Sequence, residues 1–177
     1  MQVRKIAWGV AALAAGSLVV AAAQAQLGRD KVAFPQDYAK GVLYTTVDRA
    51  DIKQLRELYT SAAAIEAAKA GKPLPDGTVI TLVQYSALLT AAGDPQKDAN
   101  GRFIKGKLVA YAVMEKRAGW GAEYDATYRN GEWEYNAFMT DRQVNAGANI
   151  TACFACHKPV GDGPDYTFSY DRMKTAK

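Results

Sequence analysis

Two cysteines and a histidine form a compact motif late in the 177-residue sequence. The stretch reads Cys153-Phe154-Ala155-Cys156-His157, a C-x-x-C-H pattern that is typical of c-type haem attachment. Two thiols at this spacing can each add to one of the two vinyl groups of a haem, and the histidine can bind the iron as proximal ligand. The motif therefore predicts one covalent haem c, bound by Cys153, Cys156 and His157, with His157 as the metal ligand.

A C-x-x-C pattern also occurs in redox-active disulfides and in zinc sites. A zinc site needs two further cysteine or histidine ligands, but the sequence contains only these two cysteines and one histidine. A thioredoxin-like disulfide usually follows an early strand of a βαβ unit, whereas this motif comes late in the sequence. The residues favour haem attachment over both alternatives.

The second axial position of the iron decides what such a haem can do. Because His157 is the only histidine, bis-histidine ligation within one chain is excluded. A methionine is a common sixth ligand in electron-transfer cytochromes, and the candidates are Met114, Met139 and Met173. Methionines more often pack than ligate. We therefore expect a five-coordinate iron that binds small diatomic or nitrogenous ligands, with a Met-ligated electron carrier as the alternative.

The first 25 residues have the pattern of a cleaved secretory signal peptide. Arg4 and Lys5 provide the charged region, an almost wholly apolar run extends from Ile6 to Ala23, and Ala23-Gln24-Ala25 provides an A-x-A cleavage site. An uncleaved membrane anchor is the alternative, because the apolar run is of borderline length for a membrane span. The pattern predicts an exported protein.

Residues 26–177 fit one domain of ordinary size. Two of the 22 basic residues lie in the signal segment, which leaves 20 basic against 18 acidic residues and a net charge of +2. A charge this weak gives no basis for binding nucleic acid. The abundant tyrosine and tryptophan suit a β-rich domain with a large flat cofactor.

The chain predicts an α+β domain, mainly an antiparallel β-sheet with a few helices and the covalent haem near its C-terminus. Strands are predicted from β-branched, aromatic and alternating patterns, and helices from alanine content and caps. The predicted strands are 42–47, 79–85, 108–114, 133–138 and a last one at 165–170. The predicted helices are 61–70 and a shorter one at 145–152.

Three segments carry more specific predictions. Residues 51–59 fit either a helix or a short strand, and 90–107 reads as a long hairpin loop. Asn130-Gly131 is typical of a type I′ hairpin turn. In the strand that follows, strict alternation places Trp133, Tyr135 and Ala137 on one face and Glu134, Asn136 and Phe138 on the other.

The sheet is expected to supply the wall on the open side of the haem. The aromatic candidates fit ordinary core packing as well; they are Phe34, Tyr85, Tyr111, Trp120, Tyr135 and Phe138. The charged run Glu115-Lys116-Arg117 follows a predicted interior strand. It either aims charge at the haem or forms a solvated strand end.

Several stretches in order along the chain resemble the cytochrome P-460 family. They are Phe34-Pro35-x-x-Tyr38, Arg56-Glu57-Leu58-Tyr59, Asp76-Gly77-Thr78-Val79, Val113-Met114-Glu115-Lys116-Arg117, Asn130-Gly131-Glu132-Trp133-Glu134-Tyr135 and the haem motif with Lys158-Pro159. The resemblance implies a large antiparallel sheet, a strand rather than a helix at residues 55–59, and a periplasmic homodimer. A haem that passes electrons would also need a redox partner protein.

The family that the chain resembles has two functional branches. One oxidises hydroxylamine and has its haem cross-linked to a lysine; the other, cytochrome c'-beta, lacks the cross-link and binds nitric oxide beneath apolar side chains. The resemblance places the cross-linking lysine six residues after Asp76, where this chain has Leu82. Leucine cannot form that bond. The expected ligand is therefore nitric oxide or a related nitrogen species, with hydroxylamine oxidation as the alternative and enzymatic activity left open.

Overall fold

The computed structural model describes residues 31–176. The predicted signal peptide at 1–25 lies outside the described residues. Within 31–176, no helix is long and apolar enough to cross a membrane.

The fold is built on one sheet of five antiparallel strands, arranged in the order in which they occur along the chain. This confirms the predicted α+β class. The strands are β1 (Val42–Arg49), β2 (Gln54–Thr60), β3 (Val79–Ala87), β4 (Lys105–Lys116) and β5 (Trp133–Phe138).

Three short α-helices pack on one face of this sheet: α1 (Ala62–Lys69), α2 (Ile150–His157) and α3 (Tyr170–Lys174). Helix α1 begins where predicted, because the Ser61 hydroxyl accepts a hydrogen bond from the Ala64 amide at 3.2 Å and so caps the first turn. It ends before Gly71, whose φ of +69° suits a glycine after a helix. Helix α1 packs against α3, and α2 packs against β5.

The two faces of the sheet carry separate hydrophobic clusters. Trp133 and Tyr135 belong to the cluster beneath the helices, whereas Phe138 belongs to a second cluster on the opposite face. This confirms the alternation predicted for β5. The helical face is the one that faces the haem motif.

Cross-strand registers divide the helical face into rows. One row contains Ile80, Met114 and Tyr135; the next contains Leu58, Leu82, Ala112 and Ala137; a third contains Arg56, Gln84 and Ala110. Residues in one row lie side by side on adjacent strands. The rows therefore show which of these side chains lie next to one another on the helical face.

Residues 51–59, which fitted either a helix or a strand, contain a strand in the structure. A 3₁₀ turn occupies Ala50–Ile52, Lys53 adopts a left-handed conformation, and β2 then begins at Gln54. The strand interpretation implied by the family resemblance is confirmed at this position.

The strand predicted at 165–170 is wrong. Asp165 and Tyr166 have φ values of +51° and +53°, which no strand residue adopts. The Tyr166 amide donates to the Gly161 carbonyl at 2.7 Å, and α3 begins at Tyr170. The aromatic composition favoured a strand, but local turn hydrogen bonds and packing determine the conformation.

The type I′ turn predicted at Asn130-Gly131 is also wrong. Strands β4 and β5 are joined by residues 117–132 rather than by a two-residue turn. Only Gly131 of the pair has a positive φ, +58°, whereas a type I′ turn needs two. Asn130 instead is 1 % exposed and serves the haem motif, as described below.

The long connection between β3 and β4 is held against the sheet. Asp48 on β1 accepts from Arg102 Nε at 2.8 Å and from the Phe103 amide at 3.2 Å. Phe103 itself is buried against Leu55 and Ala87. The predicted hairpin loop is therefore anchored by a carboxylate and an aromatic side chain.

Candidate functional site

The haem motif forms the second half of helix α2, so Cys153 lies about one turn before the adjacent pair Cys156 and His157. The Asn149 side chain caps the helix by accepting from the Ala152 amide at 3.3 Å. Phe154, between the cysteines, is fully buried and packs edge-on against Tyr135 with ring centroids 4.8 Å apart. Because Phe154 is buried in the core, the orientation of the helix is fixed, and with it the direction of the other side chains of the motif.

Asn130 ties α2 to the start of β5. Its Nδ2 atom donates to the Phe154 carbonyl at 3.0 Å and to the Tyr135 hydroxyl at 3.1 Å. Both bonds are buried, where hydrogen bonds are costly to lose. The side-chain amide therefore joins the motif helix to the sheet.

His157 has the hydrogen bonding of an oriented metal-binding imidazole. Its Nδ1 atom lies 2.7 Å from the Tyr166 carbonyl oxygen. A carbonyl can only accept, so Nδ1 carries the proton and Nε2 has a lone pair available for a metal. Burial lowers the pKa of His157, which favours the neutral, ligating form.

The imidazole is also held between two aromatic rings. Its centroid lies 4.9 Å from that of Tyr135 on the sheet and 5.0 Å from that of Phe168. Tyr135 is buried, whereas Phe168 is 65 % exposed. Together with the Tyr166 carbonyl, these rings determine where the Nε2 atom points.

The two cysteines are free thiols in different surroundings. Cys153 is half-buried, and Cys156 is exposed. Burial raises the pKa of the Cys153 thiol, and the neighbouring Cys156 adds to this effect. Both side chains line the same hollow as His157, so the structure brings the three predicted site residues together.

That hollow is a cavity of about 900 Å³ between α2 and the helical face of the sheet. Its volume lies near the upper end of the range for ligand and cofactor sites. Aliphatic side chains from three strands form much of its wall: Leu58, Ile80, Leu82 and Ala112. An apolar wall opposite two thiols and an imidazole fits a flat hydrophobic macrocycle that is attached at one edge.

Three arginines line the cavity as well: Arg49, Arg56 and Arg172. Arg49 pairs with Asp51 at 2.6 Å. Arg56 forms no salt bridge within the described residues, lies in the field of Asp51, and donates a hydrogen bond to the Gln54 side-chain oxygen at 3.4 Å. Burial lowers the pKa of Arg56, and the nearby Arg49 adds to the effect. These cations suit the two acidic propionate groups that a haem carries.

Leu82 lies in this cavity wall, and within residues 31–176 no lysine lines the cavity. Lys72, beyond α1, is exposed. Its backbone carbonyl accepts from the Tyr170 hydroxyl at 2.6 Å. No lysine side chain among the described residues is therefore placed at the position where the family resemblance implies a cross-link.

Of the six aromatic side chains expected at the open side of the haem, only Tyr135 lines the cavity. The other five lie in or against the cluster on the opposite face: Phe34, Tyr85, Tyr111, Trp120 and Phe138. Strand alternation explains this, because each of these residues on a strand has the parity of Phe138 rather than that of Tyr135.

The charged run Glu115-Lys116-Arg117, at the end of β4, does not line the cavity. Glu115 pairs with Arg117 at 2.7 Å, and Lys116 pairs with Asp165 at 2.8 Å. Lys116 and Glu115 are largely buried in these pairs, so the run is neither aimed at the cavity nor a fully solvated strand end.

Several residues of the site were not found from the sequence. Arg56 could have been recognised, because it lies two residues before Leu58 on β2 and therefore on the same face of the strand. Tyr166 contributes a backbone carbonyl, for which no side-chain pattern exists. Phe168 and Arg172 enter the cavity only because the segment after α2 folds back.

The described residues contain no group of three or more histidine, cysteine, aspartate or glutamate side chains that could hold a metal ion directly. An iron bound to a macrocycle needs only one such side chain from the protein.

A cavity lined by C-x-x-C-H and closed by a sheet defines a haem protein of the c type. The family model for Cytochrome P460 matches residues 35–169, which is most of the chain. The chain therefore belongs to the cytochrome P460 family. No curated protein matches it.

Proposed function

We propose that this protein is a periplasmic mono-haem cytochrome whose iron is five-coordinate and binds nitric oxide or a related small nitrogen species. The haem is attached through thioether bonds at Cys153 and Cys156, and His157 is its proximal ligand. Export follows from the signal pattern at 1–25. The homodimer is proposed from the family resemblance, and a redox partner protein is proposed because the iron can exchange electrons.

The observation that carries this proposal is the composition of the cavity wall. His157 supplies the only imidazole, and about half of the strand residues that line the cavity are aliphatic side chains that cannot bind iron, among them Leu58 and Leu82. Since Leu58 and Leu82 cannot act as a sixth ligand, an iron held by His157 would keep an open position unless Met114 bound it.

Bound in this cavity, a haem supplies an iron centre that binds diatomic and nitrogenous ligands. The protein's own residues select among them. A wall that includes Leu58 and Leu82 cannot hydrogen-bond to a polar or charged ligand through these side chains, and burying such a ligand without partners is costly. The wall therefore favours a small, neutral molecule such as nitric oxide.

The arginines orient the cofactor from another part of the cavity. Arg56 is half-buried and has no ion pair with a carboxylate in residues 31–176, so it is available to a haem propionate. Attachment at Cys153 and Cys156 fixes one edge of the macrocycle. A second, charged contact would prevent it from rotating about that edge.

A Met-ligated electron carrier is the second candidate, because Met114 also lines the cavity. Met114 lies in the same cross-strand row as Tyr135, whose ring contacts His157. This arrangement favours a Met114 side chain on the same side of the haem as His157, where it could not serve as the sixth ligand. Hydroxylamine oxidation has less support, because Leu82 offers no amine for a cross-link.

The attachment is tested by the intact mass of the exported, denatured protein. Addition of two thiols to two vinyl groups conserves all atoms, so we expect the mass of the mature chain plus one haem. A peptide containing Leu82 should be unmodified. Loss of the haem on denaturation would contradict covalent attachment.

The ligand is tested by titrating the ferrous protein with nitric oxide and, separately, by incubating the ferric protein with hydroxylamine and an electron acceptor. We expect one nitric oxide per haem and no steady consumption of hydroxylamine. Sustained hydroxylamine oxidation would instead identify an enzyme.

Leu82→Gln and Leu43→Gln form a matched pair for this test. Leu82 lines the cavity, whereas Leu43 is 46 % exposed on β1 and does not. Leu82→Gln should change the dissociation rate of nitric oxide, and Leu43→Gln should not. Equal rates in both variants would show that this wall does not face the ligand.

A further inference from the structure

The turn that follows α2 has an unusual backbone. Asp165 and Tyr166 are consecutive non-glycine residues in the left-handed region, with φ of +51° and +53°. Such residues are uncommon and persist where the surrounding structure holds them in place. The Tyr166 carbonyl, presented by this turn, is the acceptor for His157 Nδ1 at 2.7 Å.

The Asp165 side chain is what holds the turn. Its Oδ2 atom accepts from the Leu74 amide and from Lys116 Nζ, both at 2.8 Å, and its Oδ1 atom accepts from Trp133 Nε1 at 3.1 Å. These donors belong to the loop before β3, to β4 and to β5. The carboxylate therefore fastens the turn to three separate parts of the domain.

Lys116 completes this arrangement. Its ammonium group also donates to the Leu74 carbonyl at 2.9 Å, and the side chains of Lys116 and Asp165 are 12 % and 9 % exposed. A buried pair that loses one partner leaves an uncompensated charge. The turn can therefore not relax without breaking several buried contacts at once.

We propose that the buried Lys116–Asp165 pair is a positioning device for the proximal ligand. It fixes the turn at Asp165 and Tyr166, the turn fixes the Tyr166 carbonyl, and the carbonyl orients the imidazole of His157. The proposal rests on His157 being the iron ligand. Neither Lys116 nor Asp165 lines the cavity, so both act on the iron only through His157.

A hydrogen bond from Nδ1–H to a carbonyl makes the imidazole a more basic ligand. A more basic ligand strengthens the iron–histidine bond and favours the ferric state. Loosening the turn should therefore weaken that bond and raise the reduction potential. Outer contacts of this kind typically change metal affinity by 10- to 100-fold.

The test compares Asp165→Asn with Asp48→Asn in the haem-loaded protein. Asp48 is a matched control, because its carboxylate also holds a cation and a backbone amide, at 2.8 and 3.2 Å, but anchors the connection between β3 and β4. The readouts are the iron–histidine stretching frequency of the ferrous protein, its reduction potential and its melting temperature.

We expect both variants to melt at lower temperature and only Asp165→Asn to alter the iron. The iron–histidine stretching frequency of this variant should fall. The equilibrium between ferric and ferrous protein should shift roughly tenfold toward the ferrous state, which raises the reduction potential by about 59 mV for one electron. An unchanged frequency and potential in Asp165→Asn would overturn the proposal and leave the pair a purely structural contact.

Lys116→Met provides the same test if Asp165→Asn does not fold. It removes the cation but keeps a side chain of similar length, and it should shift the stretching frequency and the reduction potential in the same direction.

Nitric oxide binding to the wild-type protein distinguishes this proposal from the proposed function. Absence of nitric oxide binding would refute the function while leaving the effect of these variants on the potential measurable.

Discussion

The ring of His157 lies 4.9 Å from that of Tyr135 and is tilted by 47° to it. Through this contact the last residue of the motif helix rests on the helical face of β5. Phe168 covers another side of the imidazole at 5.0 Å. The imidazole of His157 is therefore fixed by packing as well as by its hydrogen bond.

This packing gives a sharp prediction for His157→Ala. The haem should remain attached, since both thioether bonds are independent of the histidine, but the wild-type axial ligation should be lost. The variant leaves a space of imidazole size beside Tyr135 and Phe168, so added imidazole should restore the wild-type spectrum. Optical spectroscopy checks both steps.

The result that would contradict this assignment is a His157→Ala protein with the wild-type iron spectrum before imidazole is added. Haem loss on denaturation would instead contradict attachment through Cys153 and Cys156. The two readouts therefore test the ligand and the thioether bonds separately.

A second prediction concerns the alternative of a methionine ligand. Met114→Leu should leave the coordination state unchanged, because Met114 packs in the row of Tyr135. The substitution nearly conserves volume and should cost less than about 1.5 kcal/mol. Magnetic circular dichroism or optical spectra of the ferrous protein measure the coordination.

Met139→Leu is the control, since Met139 is 43 % exposed and outside the cavity. Conversion of a low-spin spectrum to a high-spin one in Met114→Leu alone would establish the electron carrier. Identical spectra in both variants and wild type support the open iron.

A third prediction tests how the motif is attached to the sheet. Asn130→Ala removes the donor to the Phe154 carbonyl and the Tyr135 hydroxyl, and leaves two buried acceptors without it. Unsatisfied buried groups cost about 1–3 kcal/mol each. We expect the free energy of unfolding, measured with denaturant, to fall by roughly 2 kcal/mol or more.

Asn100→Ala provides the comparison, because Asn100 is an exposed residue of the β3–β4 connection. Such surface changes usually stay within about 0.5 kcal/mol. Equal stabilities of the two variants would show that the Asn130 amide does not support the motif helix.

A fourth prediction is loss of stability at alkaline pH. Burial raises the pKa of Tyr44. The Tyr44 hydroxyl shares a 2.7 Å hydrogen bond with the Ser169 hydroxyl. Burial and the nearby Glu57 raise the pKa of Tyr59 to about 12. The unfolded chain loses these protons near the ordinary tyrosine pKa of 10.0, before the folded chain does.

The folded state therefore binds more protons above that pH, and its stability falls as pH rises. The contribution is fully present below pH 10 and is lost as pH rises toward 12 for Tyr59. Denaturant unfolding at a series of pH values measures the slope. Tyr44→Phe should flatten it; an unchanged slope would show that Tyr44 ionises equally in both states.

The sequence predicted those parts of the fold that depend on local patterns. Alternation located β5 and assigned Tyr135 to the face opposite Phe138, and alanine content with a serine cap located α1. The predicted strand at 165–170 was wrong because its conformation depends on Asp165 contacts with residues distant in sequence. No local pattern contains that information.

The candidate site divides in the same way. The C-x-x-C-H motif and Leu82 could be chosen from the sequence, and both lie at the cavity. The aromatic candidates mostly lie on the other face, because composition alone does not say which face of a strand is covered. The Tyr166 carbonyl could not be predicted, since every residue but proline offers the same backbone groups.

Whether the iron is open and uncross-linked is tested by the optical spectrum of the ferrous protein with and without nitric oxide. An open iron gives an ordinary, broad high-spin spectrum that changes on addition of nitric oxide. A sharp low-spin spectrum that does not respond would contradict the open site. A strongly red-shifted Soret band would show a lysine cross-link and contradict the role assigned to Leu82.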